Sequence, residues 1–171
     1  RIAITLLSSL TMGISASAQT KAMCDFVVPK DGTLREAIAA ANNRKDQDER
    51  FRIFVLQGEY EIATEGKTIG GDGREYNDPR MFLKAPNTSI IGEDMEKTIV
   101  TNIVPYATWD NGFGKANPLE GIGNGDVLII EKKCNNTYIQ DITLKNAMDD
   151  ATGRNIALHD CSDKTIAKNT C

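Results

Sequence analysis

An all-β solenoid, in which short strands stack coil upon coil behind a single N-terminal α-helix, is the fold class that this sequence predicts. Three observations lead to it. Of 171 residues, 40% are apolar and 26% charged, only 6% are aromatic and 14 are glycine, a balance suited to many short strands joined by turns. A coil-length internal repeat occupies the last third of the chain. One amphipathic segment near the N-terminus carries a complete helix-start signal, and no other does.

The helix comes first. In FVVPKDGTLREAIAAANNR a short apolar strand and a Pro/Gly turn precede Thr33, which forms a T-x-x-E capping box with Glu36. Leu34, Ala37, Ile38 and Ala41 follow at helical spacing, so the helix is expected from about Thr33 to Asn43. Next, Ile53 to Leu56 is a continuous apolar run, of the kind buried in parallel sheets, with a bend expected at Gly58. Residues 64–80 are rich in Gly and charge and read as a long loop. A second pair of strands is expected in MFLKAPNTSIIGEDMEKTIVTN, and residues 105–126, which hold the lone Trp109, read as a second long loop.

The repeat appears when the chain is shifted by 28 residues, which lays VLIIEKKCNNTYIQD (Val127 to Asp141) over NIALHDCSDKTIAKN (Asn155 to Asn169). Leu128 then falls on Ile156, Ile130 on Leu158, Glu131 on His159, Thr137 on Thr165 and Tyr138 on Ile166. Asn87-Thr88 has the same cadence as Asn136-Thr137. Repeats of this kind stack with neighbouring strands about 4.8 Å apart, so equivalent positions form ladders. A β-sandwich is the competing fold, but sandwich strands alternate in polarity whereas these runs do not. The helix then covers the N-terminal end of the stack, where strand edges would otherwise lie open.

Several function classes are excluded by charge and hydropathy. With 20 basic against 24 acidic residues and a net charge of −4, the chain has no sequence-independent hold on phosphates, so nucleic acid is not an expected partner. Residues 1–18 read as a signal peptide, with Arg1, an apolar stretch from Ile2 to Ile14 and Ala16-Ser17-Ala18 before cleavage. The protein is therefore expected to be exported, to the periplasm, cell surface or outside, without stable membrane insertion after cleavage. Four cysteines in an exported chain raise the question of disulfides. Cys134 and Cys161 are 27 apart against a repeat of 28, near enough in stacked turns for either a bridge or two free thiols.

The pieces DGTLREAIAAANN, RIFVLQGEYEI, NTSIIGEDMEKTIVTN and DITLKNAMDDATGRNIALHDCSDKTIAKNTC, in this order, resemble the pectinesterase (pectin methylesterase) family of carbohydrate esterases. The resemblance implies a right-handed parallel β-helix for residues 19–171, as the N-terminal part of a catalytic domain. It implies hydrolysis of the methyl esters of pectin, a polygalacturonate, to free carboxylate and methanol. Two aspartates serve that family as nucleophile and as general acid and base, glutamines hold the oxyanion, and no metal or cofactor takes part. No obligate protein partner is implied.

Carried onto this sequence, the resemblance assigns no catalytic residue. The family's Q-D-T motif, D-F-I-F-G strand and G-R-P-W arginine have no counterpart up to Cys171, so the catalytic aspartates are expected beyond it. The stack is accordingly expected to be truncated at its C-terminal end, inactive alone and prone to self-association there. The glutamine of the family's Q-A-V-A-L segment falls on Arg154, which is either a substrate-binding contact for a galacturonate carboxylate or a solvated turn residue. The final Glu of G-x-Y-x-E is Ile62 here.

Other polar residues read as solvated turns. His159, with Ser162 and Asp163 nearby, shows no nucleophile elbow and is expected in a turn. Asp149-Asp150 and the pair Asp126 and Glu131 are likewise expected to be solvated. Asp72-Gly73 with Asp78 does not match a calcium loop, and Gly121-x-Gly123-x-Gly125 lacks the strand-to-helix setting of a phosphate loop. Two rival functions remain beside the esterase: a pectate lyase-like enzyme on similar coils, and a non-catalytic glycan-binding β-helix.

Overall fold

The computed structural model describes residues 23–62, 80–102, 126–146 and 156–171, together with the backbone of 67–69 and 75–77. Residues 1–18, read above as a signal peptide, Trp109 and its segment, Asp72-Gly73, Asp78, the Gly121 to Gly125 run, Asp149-Asp150 and Arg154 lie outside the described residues. In chain order the elements are β1 (Phe26–Val28), α1 (Leu34–Asn43), β2 (Phe51–Val55), β3 (Gly58–Glu61), β4 (Lys67–Ile69) and β5 (Glu75–Asn77). They continue with β6 (Met81–Leu83), β7 (Thr88–Gly92), β8 (Thr98–Asn102), β9 (Leu128–Ile130), β10 (Thr137–Asn146), β11 (Leu158–Asp160) and β12 (Thr165–Thr170).

The described residues are mostly parallel β-sheet with one helix. A first sheet joins β1, β2, β7, the first half of β10 and β12. A second joins β3, β8 and the second half of β10, and a third joins β6, β9 and β11. All these pairings are parallel; only β4 and β5 pair antiparallel. From β2 onward, that short pair apart, the chain visits the first, second and third sheets in turn. The two segments expected in residues 81–102 are three strands, and the expected loop at 64–80 contains β4 and β5.

Helix α1 forms where the capping box placed it. Thr33 has extended backbone (φ −73°, ψ 164°); its hydroxyl accepts from Glu36 N at 3.2 Å, and Glu36 Oε2 accepts from Thr33 N at 2.8 Å. Leu34, Ala37, Ile38 and Ala41 are its buried residues, and they join one apolar cluster with Val55, Leu83, Ile90, Ile130 and Ile139 from the sheets. The helix packs against β6, β1 and β2.

In the first sheet Ile53, Ile90, Ile139 and Ala167 stand in one column, although 37, 49 and 28 residues separate successive members. The shift of 28 read from the repeat is thus present, with Thr137 opposite Thr165 and Tyr138 opposite Ile166. In the third sheet, however, Leu158 lies opposite Leu128 and Asp160 opposite Ile130, a shift of 30. Turn length is the cause: Glu131 to Asn136 connects β9 to β10, whereas the shorter Cys161 to Lys164 connects β11 to β12. His159 therefore belongs to a strand, opposite Ile129 and not Glu131.

The turns into the first sheet explain the Asn-Thr cadence. Asn87 (φ 53°) and Asn136 (φ 63°) take the left-handed conformation, which Asn tolerates better than most residues. Each following threonine turns inward and donates its hydroxyl to the carbonyl three residues back, Thr88 to Ala85 at 3.2 Å and Thr137 to Cys134 at 2.6 Å. At the other end of β7, Gly92 has no room for a side chain, since a Cβ there would lie 2.0 Å from the Asp141 carbonyl oxygen. Asp141 (φ 51°) is itself the bend by which β10 passes from the first sheet to the second.

Burial alternates in β2, β6 and β9, contrary to the sequence expectation of runs buried on both faces. Ile53 and Val55 are fully buried while Phe54 between them is half-buried, and Leu128 and Ile130 flank a half-buried Ile129 in the same way. In these strands one face is core and the other is outer surface that is apolar in places.

Candidate functional site

The outer face of the third sheet gathers the most chemically distinctive residues. Parallel register sets Phe82, Ile129 and His159 in one outward column. Phe82 lies between two cations, with the Arg80 guanidinium 4.9 Å and the Lys84 ammonium 5.8 Å from its ring centroid. Lys84 also faces Glu131 at 3.6 Å across the sheet surface, and both side chains are largely exposed.

His159 ends the column and is paired. Its Nδ1 lies 3.1 Å from Oδ2 of Asp126, whose side chain is 0% exposed while the imidazole is 41% exposed. The other carboxylate oxygen, Oδ1, is buried without a hydrogen-bond partner. A buried carboxylate depends on whatever hydrogen bond or charge it can find, so Asp126 fixes the ring orientation of His159. The pair joins β11 to the residue two places before β9. This corrects the reading of both residues as solvated turns.

A nucleophilic triad does not assemble there. Ser162 is instead tied to the Asp160 side chain: its N–H and hydroxyl both donate to Asp160 Oδ1, at 2.9 and 2.8 Å, and its Oγ contacts Thr165 Oγ1 at 2.7 Å. These bonds close the turn into β12. Among the described residues no group of three His, Cys, Asp or Glu side chains is arranged to hold a metal ion, and no helix is long and apolar enough to cross a membrane.

Cys134 and Cys161 do not form a bridge in this structure. Cys134 is buried, and its thiol donates to Leu83 O at 3.0 Å, whereas Cys161 is exposed and its N–H donates to Ile130 O. The register with a shift of 30 sets Cys161 beside Glu131, not beside Cys134, which is why the spacing of 27 misleads. Burial pushes the Cys134 thiol pKa up, and the Glu131 and Asp160 charges add to that rise. Ile62, at the place of the family's acidic residue, is fully buried core.

The His159 and Asp126 pair was missed because its members are 33 residues apart and meet only through the sheet register. One signal was present: a lone Asp set directly against the apolar run Val127-Leu128-Ile129-Ile130. Comparison with family models, with curated proteins and with solved structures returns no match to this chain.

Proposed function

We propose that this chain forms coils of a right-handed parallel β-helix belonging to an exported pectinesterase-type carbohydrate esterase. One observation supports the reading above others: the segments that resemble the family stack on one another in parallel register. Ile53 to Val55 of RIFVLQGEYEI lie against Ile90 to Gly92 of NTSIIGEDMEKTIVTN, and Ile99 to Asn102 of that segment lie against Thr143 to Asn146 of DITLKN. The cyclic return to three sheets is what a three-sided coil requires. On the third sheet, Phe82 and Ile129 supply apolar surface for sugar rings beside the His159 imidazole.

The sequence contains no Q-D-T or D-F-I-F-G segment, so no residue of this chain is given the nucleophile's role. Its part is scaffold and polysaccharide surface, with Arg154 retained as a proposed contact to a galacturonate carboxylate. The test is incubation of the intact protein with methylated pectin. Methanol release without a calcium requirement is the expected result. Calcium-dependent formation of unsaturated, ultraviolet-absorbing products would assign a lyase, and tight pectin binding with neither product would assign a non-catalytic glycan binder.

A further inference from the structure

The first sheet has an outer face of different character. Its register lines up one residue per coil: Arg50, Asn87, Asn136 and Lys164, each immediately ahead of its strand, form one row. Arg52, Ser89, Tyr138 and Ile166 form the next outward row. A groove of about 680 Å³ crosses these strands, lined by Arg50, Ser89, Asn136, Tyr138, Lys164 and Ile166 together with Ile91 and two threonines.

Two features make the groove fit an anion. The first is charge: it holds two cations and no carboxylate, in a chain whose net charge is −4. Arg50 Nη1 donates to Ser89 Oγ at 2.9 Å, which fixes the guanidinium over β7 and leaves its remaining donors for a ligand. The second is spacing. Three strand intervals separate the Arg50 and Lys164 backbones, about 14 Å. Between them Asn136 donates to Asn87 Oδ1 at 3.0 Å, and Tyr138 lies opposite Ile166, which is 61% exposed.

We infer that this groove binds a linear, carboxylate-bearing polysaccharide laid across the coils, with Arg50 and Lys164 each taking one carboxylate and Tyr138 with Ile166 supporting the sugar between. The anion groove stands on register and charge alone. The choice of a sugar acid over an acidic peptide rests on the esterase-type reading above. The site is separate from the third-sheet face and belongs to a different side of the coil.

Calorimetric titration of the full chain tests it, with four probes: long oligogalacturonate, galacturonate monomer, the fully methyl-esterified oligomer and polyglutamate. Long oligogalacturonate is expected to bind, more weakly as salt is raised. The monomer, which cannot bridge both cations, and the uncharged ester are expected to bind far less. Lys164→Gln alters an exposed side chain and is expected to weaken binding about fivefold. Arg50→Gln is expected to do the same, with circular dichroism checking that loss of the Ser89 bond leaves β7 in place.

Unchanged affinity in Lys164→Gln would overturn the groove, and equal binding of polyglutamate would overturn the sugar assignment. Oligogalacturonate binding that needs Lys164 in a protein that releases no methanol defeats the esterase reading alone, whereas methanol release without such binding defeats the groove alone.

Discussion

At one edge of the first and third sheets, β1 and β6 face α1, while at the other edge β12 and β11 pair with no further described strand. The covered edge is completed by side chains acting as strand. Asn42 Nδ2 donates to Phe82 O at 2.8 Å and its Oδ1 accepts from Lys84 N at 2.8 Å, so one amide fills the place of a neighbouring peptide. Arg35 adds bonds to Arg80 O at 2.8 Å and Ile62 O at 3.2 Å. Along β12, by contrast, the four residues from Ile166 to Asn169 are exposed. The body of a helix has no spare backbone groups to offer a strand, so closing a sheet edge with one takes an apolar plug and polar stand-ins together.

The contrast sets the order of expected effects on unfolding free energy, measured by urea denaturation. Ile38→Ala removes the plug's largest buried branched side chain and is expected to cost about 3 kcal/mol. Asn42→Ala strips two partners from the β6 edge; because Phe82 and Lys84 are partly solvated, the expected cost is about 1.5 kcal/mol. Thr33→Ala breaks the capping box for about 1 kcal/mol. Ile166→Lys, on the uncovered edge, is expected to change stability by less than about 0.5 kcal/mol. Loss of stability there equal to that of Ile38→Ala would show that both edges are equally packed.

Thiol labelling sharpens the same comparison without altering the fold. Cys161 and Cys171, both exposed, are expected to react with a thiol reagent in the native protein, while buried Cys134 reacts only after unfolding. Loss of two thiols from the unfolded count would reinstate the bridge.

What the sequence revealed was local or periodic. Helix α1 was legible because its capping box and its four inward residues lie within nine positions of one another. The Thr137 and Thr165 ladder was legible because turn chemistry recurs with it. The third-sheet register was misjudged by two residues, and the period of a strand explains why: a slip of two keeps every side chain on its own face, so apolar matching cannot detect it. Strand polarity misled in the opposite sense, since Phe54, Ile91 and Ile129 are apolar yet face outward. The His159 and Asp126 pair and the Arg50 and Lys164 row depend on that register, so neither was visible before the pairing was known. The short β4 and β5 pair lacked any apolar alternation that would mark it.

The unequal connections between strands bear on how such a chain can be edited. Five residues, Glu93 to Lys97, connect β7 to β8, yet β10 makes the corresponding passage with Asp141 alone, and the strands on either side stay in line. Contour length between rungs is thus a free variable, and insertions or deletions are absorbed at the corners. Corners can therefore be exchanged while the columns of Ile and Thr across the first sheet need no redesign.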